Sequence, residues 1–173
     1  MWGVYNDPMQ KLCKIIYLSP FVGYLLAAGA SFGAVLVALF MQHGQGLQPC
    51  TMCIIQRYAF LFIGIAALLA ALSPYRWLRF ILSISGVLVA LGGVCAALRN
   101  LWVMAHPDIL CGRDPVEVFL NGLPPAQWFP KVFMALGLCS DPIPPLLGLP
   151  LPAWSLIGLL LLAVLMLMAL RQR

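Results

Sequence analysis

"LSPFVGYLLAAGASFGAVLVALFM", residues 18–41, holds no charged side chain. A helix that spans a bilayer needs roughly 17–25 mostly apolar residues, and this run has that length. In hydrocarbon every backbone amide must find its partner within the chain, which makes helix the default. A membrane β-barrel would alternate apolar and polar residues, and this run does not. It follows a long polar lead and exceeds the roughly 7–15 apolar residues of a signal peptide. It is expected to stay in place as a span.

Three more runs of this kind follow, at about 54–72, 80–98 and 153–170. The chain of 173 residues is 63% hydrophobic and 9% charged, against roughly a quarter charged in soluble domains. The expected fold is all-α: one integral membrane four-helix bundle over residues 1–173, with the lipid bilayer as its solvent. The net charge of +5 comes from basic residues at the ends of the runs. No polybasic block and no aromatic–basic patch accompanies it, so no nucleic-acid partner is expected. Ionisable residues are nearly absent within the runs, which argues against a transporter. Gly29, Gly33, Gly64, Gly92 and Gly93 are expected at close helix contacts.

The basic residues also give an orientation. Lys11 and Lys14 precede the first run, Arg76 and Arg79 lie between the second and third, and Arg171 and Arg173 end the chain. The segment of about 42–53 has no charge, and that of about 100–152 carries more acid than base. The positive-inside rule then places both termini in the cytoplasm and the segments 42–53 and 100–152 outside.

Six cysteines divide along that line. Cys13 falls on the cytoplasmic side, and Cys95 lies inside the third run as a small hydrophobe. Cys50, Cys53, Cys111 and Cys139 face the oxidising side, where disulfides persist. Cys50-Thr51-Met52-Cys53 is a C-x-x-C, a spacing that makes a small, readily exchanged ring. It opens the second run, so unpaired backbone N–H groups at a helix start favour a thiolate there. Arg57 follows Cys53 by four residues, one turn along the same face. Those features suit a reactive pair more than a structural staple.

Cys111 and Cys139 sit in a segment whose many prolines rule out a long helix. It is too apolar for disorder, so short in-plane helical pieces are expected at Val116–Leu120 and Lys131–Leu138. Zinc would call for a second C-x-x-C or a comparable ligand spacing, which the lone Cys111 and Cys139 do not supply; no metal is expected. His43 and His106 read as interfacial anchors.

A proline and C-x-x-C, then Gln56-Arg57 opening a membrane helix, then two lone cysteines in a Pro-rich loop resemble the DsbB family of bacterial disulfide bond formation proteins. "QWFPKVFMALGLC" before Cys139 is similar to the family's W-x-P-x-V-F segment, and "LRNLWVMAHP" to the end of its third helix. The likeness runs from about Lys14 to Leu170. It implies a multi-pass protein of the bacterial inner membrane with both cysteine loops in the periplasm. Such a protein reoxidises a periplasmic DsbA-like thioredoxin-fold protein and passes the electrons to a membrane quinone, ubiquinone or menaquinone. By position, Cys111 corresponds to the cysteine attacked by the partner, and Cys139 to its mate, which hands electrons to Cys50. Cys53 corresponds to the cysteine in contact with the quinone, and Arg57 to the arginine that supports it. The chain departs from some members in having Gln56 where they carry an acid. It also has Leu98–Arg99–Asn100 where they carry a histidine, which leaves Arg99 as the stand-in at that helix end.

Two other readings make different demands. A membrane oxidoreductase similar to vitamin K epoxide reductase also pairs a C-x-x-C with a distant cysteine pair, but in the reverse chain order. A non-enzymatic membrane protein with a disulfide-stapled loop would have no use for Arg57 beside Cys53.

Overall fold

The computed structural model describes residues 20–106, 115–139 and 146–171. Four long helices dominate it: α1 (Pro20–Gln45), α2 (Thr51–Leu72), α3 (Arg76–Ala105) and α7 (Leu151–Arg171). All four are long and apolar enough to cross a membrane. Between α3 and α7 lie three short pieces, α4 (Pro115–Asn121), α5 (Pro124–Trp128) and α6 (Pro130–Phe133).

The long helices run past the apolar stretches that announce them. α3 begins at Arg76 and continues to Ala105, well beyond the expected 80–98. Arg99 does not end it, because that side chain is exposed and its long stem can reach a polar layer from a helical position. α1 packs on α2 and α7, and α3 packs on the same two neighbours. The Tyr24 hydroxyl of α1 also meets the Ser83 hydroxyl of α3 at 2.8 Å, in a buried hydrogen bond.

The bundle interior is built from small residues. Ala27, Ala28, Ala59, Ala66, Ala67, Ala70, Ala90 and Ala163 are buried in one cluster with Leu159 and Met166. Large apolar side chains such as Leu36, Phe40, Phe62 and Leu88 point outward. Lipid is as apolar as leucine, so helices in a membrane gain by close backbone approach rather than by hiding grease. Among the five glycines expected at helix contacts, Gly64 and Gly93 are there, and Gly29, Gly33 and Gly92 are not. A Cβ at Gly93 would lie 2.8 Å from Leu159 and 3.1 Å from Ala59, whereas one at Gly29, Gly33 or Gly92 would meet nothing within 4 Å. Gly86, which abuts Met166, belongs with the packed set. A glycine count carries no information on helix phase, and phase decides which glycines are inside.

The short pieces differ from expectation in two places, the first being α5 (Pro124–Trp128), which the sequence reading does not include. In the second, the piece expected at Lys131–Leu138 stops at Phe133. Beyond it the amides of Leu136 and Gly137 both donate to the Pro49 carbonyl at 3.1 Å. That pairing forms a parallel bridge between Cys50 and Gly137. A long-range backbone partner thus takes the amides that a helix would have used.

Candidate functional site

Gln42, Cys53, Gln56 and Arg57 meet at the end of the bundle where α1 finishes and α2 and α7 begin. Cys50 sits immediately before α2, with extended backbone, and Cys53 lies in the first turn. The Cys50 and Cys53 sulfurs are 3.2 Å apart. Cys50 is buried and Cys53 half-buried. Cys139 packs with both, against Met52 and Ala96. Hydrogen bonding to Cys139 first and to Cys53 second, followed by burial, pushes the Cys50 thiol well above the ordinary thiol range.

Cys139 reaches this position by a chain of backbone ties. The Asn121 side chain grips Ala135 in both directions, accepting from its N–H at 2.8 Å and donating to its carbonyl at 3.0 Å. The next two amides bind Pro49, as described above. Ile54, Leu120 and Ala135 close a small apolar cluster beneath, and Phe133 stacks on Tyr58 with ring centroids 5.0 Å apart. Three cysteines of the four expected are thereby gathered at one point. Cys111 lies outside the described residues, as does Cys13. Cys95 is exposed on α3.

Arg57 is buried one turn beyond Cys53. It donates to the Val132 carbonyl and, at 3.0 Å, to Gln42 Oε1. Gln42 in turn donates to the Lys131 carbonyl at 2.7 Å. The partners of this cation are neutral amides, so it keeps most of its capacity to stabilise an anion.

Beside these groups is a cavity of about 250 Å³ between α1, α2 and α7. Its walls are largely apolar: Val35, Met41, Phe60 and Gly158 among them. Val37 and Trp154 also line it, and both are exposed, so the cavity is reached from the outer surface of the helices. A tight turn with Leu147 and Gly148 at positive φ precedes α7, and the Trp154 indole donates to the Leu146 carbonyl of that turn at 3.0 Å. Gln56 and Arg57 line this cavity, and Gln56 Nε2 and Arg57 Nε are buried without a hydrogen-bond partner. Both are N–H donors.

The histidines lie outside the cysteine cluster and the cavity lining. His43 bonds to the Leu39 carbonyl and His106 to that of Trp102, and both side chains are exposed. Arg99 is exposed and is not among the residues that line the cavity. The residue that does face the sulfurs is its neighbour Asn100, whose Nδ2 lies 3.5 Å from Cys53 Sγ and 3.7 Å from Cys50 Sγ. Sequence reasoning passed over it because a neutral amide late in an apolar helix has no local signature. Among the described residues no group of three or more metal-binding side chains occurs.

A family model described as "Disulfide bond formation protein DsbB" matches residues 22–169. The chain is similar to "Disulfide bond formation protein B" of Ralstonia nicotianae, with 44% identity over 87% of this chain and 93% of that protein. It is also similar to the protein of the same name from Cupriavidus necator, at 43% over 87% and 92%. "Disulfide bond formation protein B 2" of Burkholderia lata is 43% identical over 81% of this chain and 83% of its own.

Proposed function

The chain belongs to the DsbB family of quinone-dependent thiol oxidoreductases, and from that premise we propose which residues carry the relay and in what order. Cys111 and Cys139 serve a periplasmic DsbA-like dithiol protein. Cys50 and Cys53 serve a membrane quinone held by Cys53, Gln56 and Arg57. The protein sits in the bacterial inner membrane, with the Cys50 end of the bundle facing the periplasm and the basic end at Arg76 and Arg79 facing the cytoplasm.

A thiolate of the partner attacks Cys111, a partner–Cys111 disulfide forms, and the electron pair of the broken bond goes to Cys139. The partner's second thiol then displaces Cys111 and leaves oxidised. Next the Cys139 thiolate attacks Cys50. The Cys139–Cys50 bond forms, the Cys50–Cys53 bond breaks, and the electron pair goes to Cys53. Closure of Cys111 onto Cys139 releases Cys50, which recovers a proton. The two electrons taken from the partner now rest on Cys50 and Cys53, at the cavity wall. A quinone bound there supplies a two-electron, two-proton acceptor for this pair. Such an acceptor is needed because DsbA is itself a strong oxidant, near −120 mV. Arg57 and Gln56 orient the acceptor's oxygens, and the apolar walls exclude water.

The observation that carries this reading is the gathering of Cys50, Cys53 and Cys139 beside a buried arginine and an apolar cavity. The test is quinone loss in a mixture of the purified protein, a reduced thioredoxin-fold dithiol protein and ubiquinone or menaquinone. Serine at Cys50, Cys53, Cys111 or Cys139 should abolish turnover, and serine at Cys13 or Cys95 should leave it near the wild-type rate. Undiminished quinone loss in Cys53→Ser would overturn the assignment, and the better of the two quinones identifies the natural class.

A further inference from the structure

Along its buried face α3 carries Ser83, Gly86, Ala90, Gly93 and Ala97, all small. The stripe ends at Asn100, a primary amide that is 1% exposed. Burying an amide among apolar groups is unfavourable unless it finds hydrogen bonds. The partners of this amide's Nδ2 are the two sulfurs of the C-x-x-C. A neutral sulfur is a weak acceptor, and hydrogen bonds to an ionised acceptor are roughly twice as strong as neutral ones. Packing alone would be served by another small residue. The amide fits a state in which one of the two sulfurs carries charge.

The relay proposed above creates that state. When Cys139 attacks Cys50, the sulfur that leaves with the electron pair is Cys53, the nearer of the two to Asn100. We propose that Asn100 is a catalytic residue of this exchange, donating a hydrogen bond to the departing Cys53 sulfur and holding it beside Cys50 for the later closure. The inference rests on Cys50 and Cys53 being the redox pair. In the step itself the Cys139–Cys50 bond replaces the Cys50–Cys53 bond, and Asn100 transfers nothing.

A donor that favours the cleaved pair also makes its disulfide easier to reduce. The experiment measures the Cys50–Cys53 thiol–disulfide equilibrium against a glutathione or dithiothreitol buffer, in full-length protein carrying Cys111→Ser and Cys139→Ser. Asn100→Leu, similar in shape and without donors, should lower the equilibrium constant for reduction about tenfold, a shift of about 30 mV toward more negative potential. Asn100→Gln, which keeps the amide, should recover most of that shift. Asn100→Ala, measured alongside, should move in the same direction as Asn100→Leu. A wild-type equilibrium in folded Asn100→Leu or Asn100→Ala overturns the proposal. So does a glutamine variant as defective as the leucine one, since that would make shape the cause. Failure of the underlying assignment has a different signature: the pair would show no titration even with Asn100 intact.

Discussion

Arg57 is a guanidinium with 6% of its surface exposed, set where the bundle meets an apolar cavity. A buried cation held only by neutral groups is costly, and an anion brought next to it recovers part of that cost. Arg57 is held in this way by Val132 and Gln42, with Nε left over. Replacing it by methionine keeps the stem and removes the charge and all donors. In Arg57→Met the kcat for quinone reduction should fall roughly 100-fold, the loss typical of one preorganised donor at a developing anion, and KM for quinone should rise. Arg57→Lys should recover little, because an ammonium lacks the planar fork that meets several acceptors at once. Steady-state rates across a quinone series decide it, and wild-type kcat and KM in Arg57→Met would refute the role. The sequence exposed Arg57 because a cation at the lip of an apolar run is conspicuous. Gln42 and Val132, 15 and 75 positions away, have nothing local to mark them. Their roles exist only once α1 and the α6 segment are folded against α2.

At the level of elements, the segment from Met134 to Cys139 is the part that brings Cys139 to Cys50 and Cys53. Its backbone is locked to the chain before α2 through Pro49, and Gly137 is the point of closest approach. A Cβ there would press into the Gln48 carbonyl oxygen, which is backbone and cannot swing aside. Gly137→Ala should therefore lift the segment and carry Cys139 away from Cys50. Quinone reduction driven by the dithiol protein should fall roughly tenfold or more, in line with the cost of misplacing a reacting atom by about 1 Å. Quinone reduction driven by dithiothreitol, which reaches Cys50–Cys53 without Cys139, should stay close to wild type. Equal losses with both reductants would refute the delivery role. Apolar length made the four long helices readable in the sequence, and proline spacing did the same for α4. The extended stretch after Phe133 was hidden because its amides pair with Pro49, and local propensity is silent on long-range partners.

Across the whole molecule, large side chains such as Leu36, Phe40, Phe62 and Leu88 lie on the outer surface, and small residues make many of the interior helix contacts. Gly92 and Gly93 make a matched pair for testing what holds the helices together. They are adjacent on α3, equal in helix propensity, and about 100° apart around the helix. Gly93 faces Leu159 of α7 and Ala59 of α2, and Gly92 faces open space. Alanine at Gly93 displaces the flexible end of Leu159 and presses on Ala59 Cβ at 3.1 Å, a smaller strain than any larger residue brings. Leucine there has to separate α3 from α2 and α7 together, at a cost of about 1–3 kcal/mol for overpacking. It should lower the unfolding temperature in detergent and reduce turnover, because α2 and α3 jointly hold Cys53 and Asn100 at contact distance. Gly92→Leu should leave both unchanged or raise stability slightly, as leucine is the better helix former. Thermal unfolding and quinone-reduction rates of the two leucine variants are compared side by side. If the bundle were held by the large side chains on its outer face, the order would reverse, with Gly92→Leu the damaging change and Gly93→Leu benign.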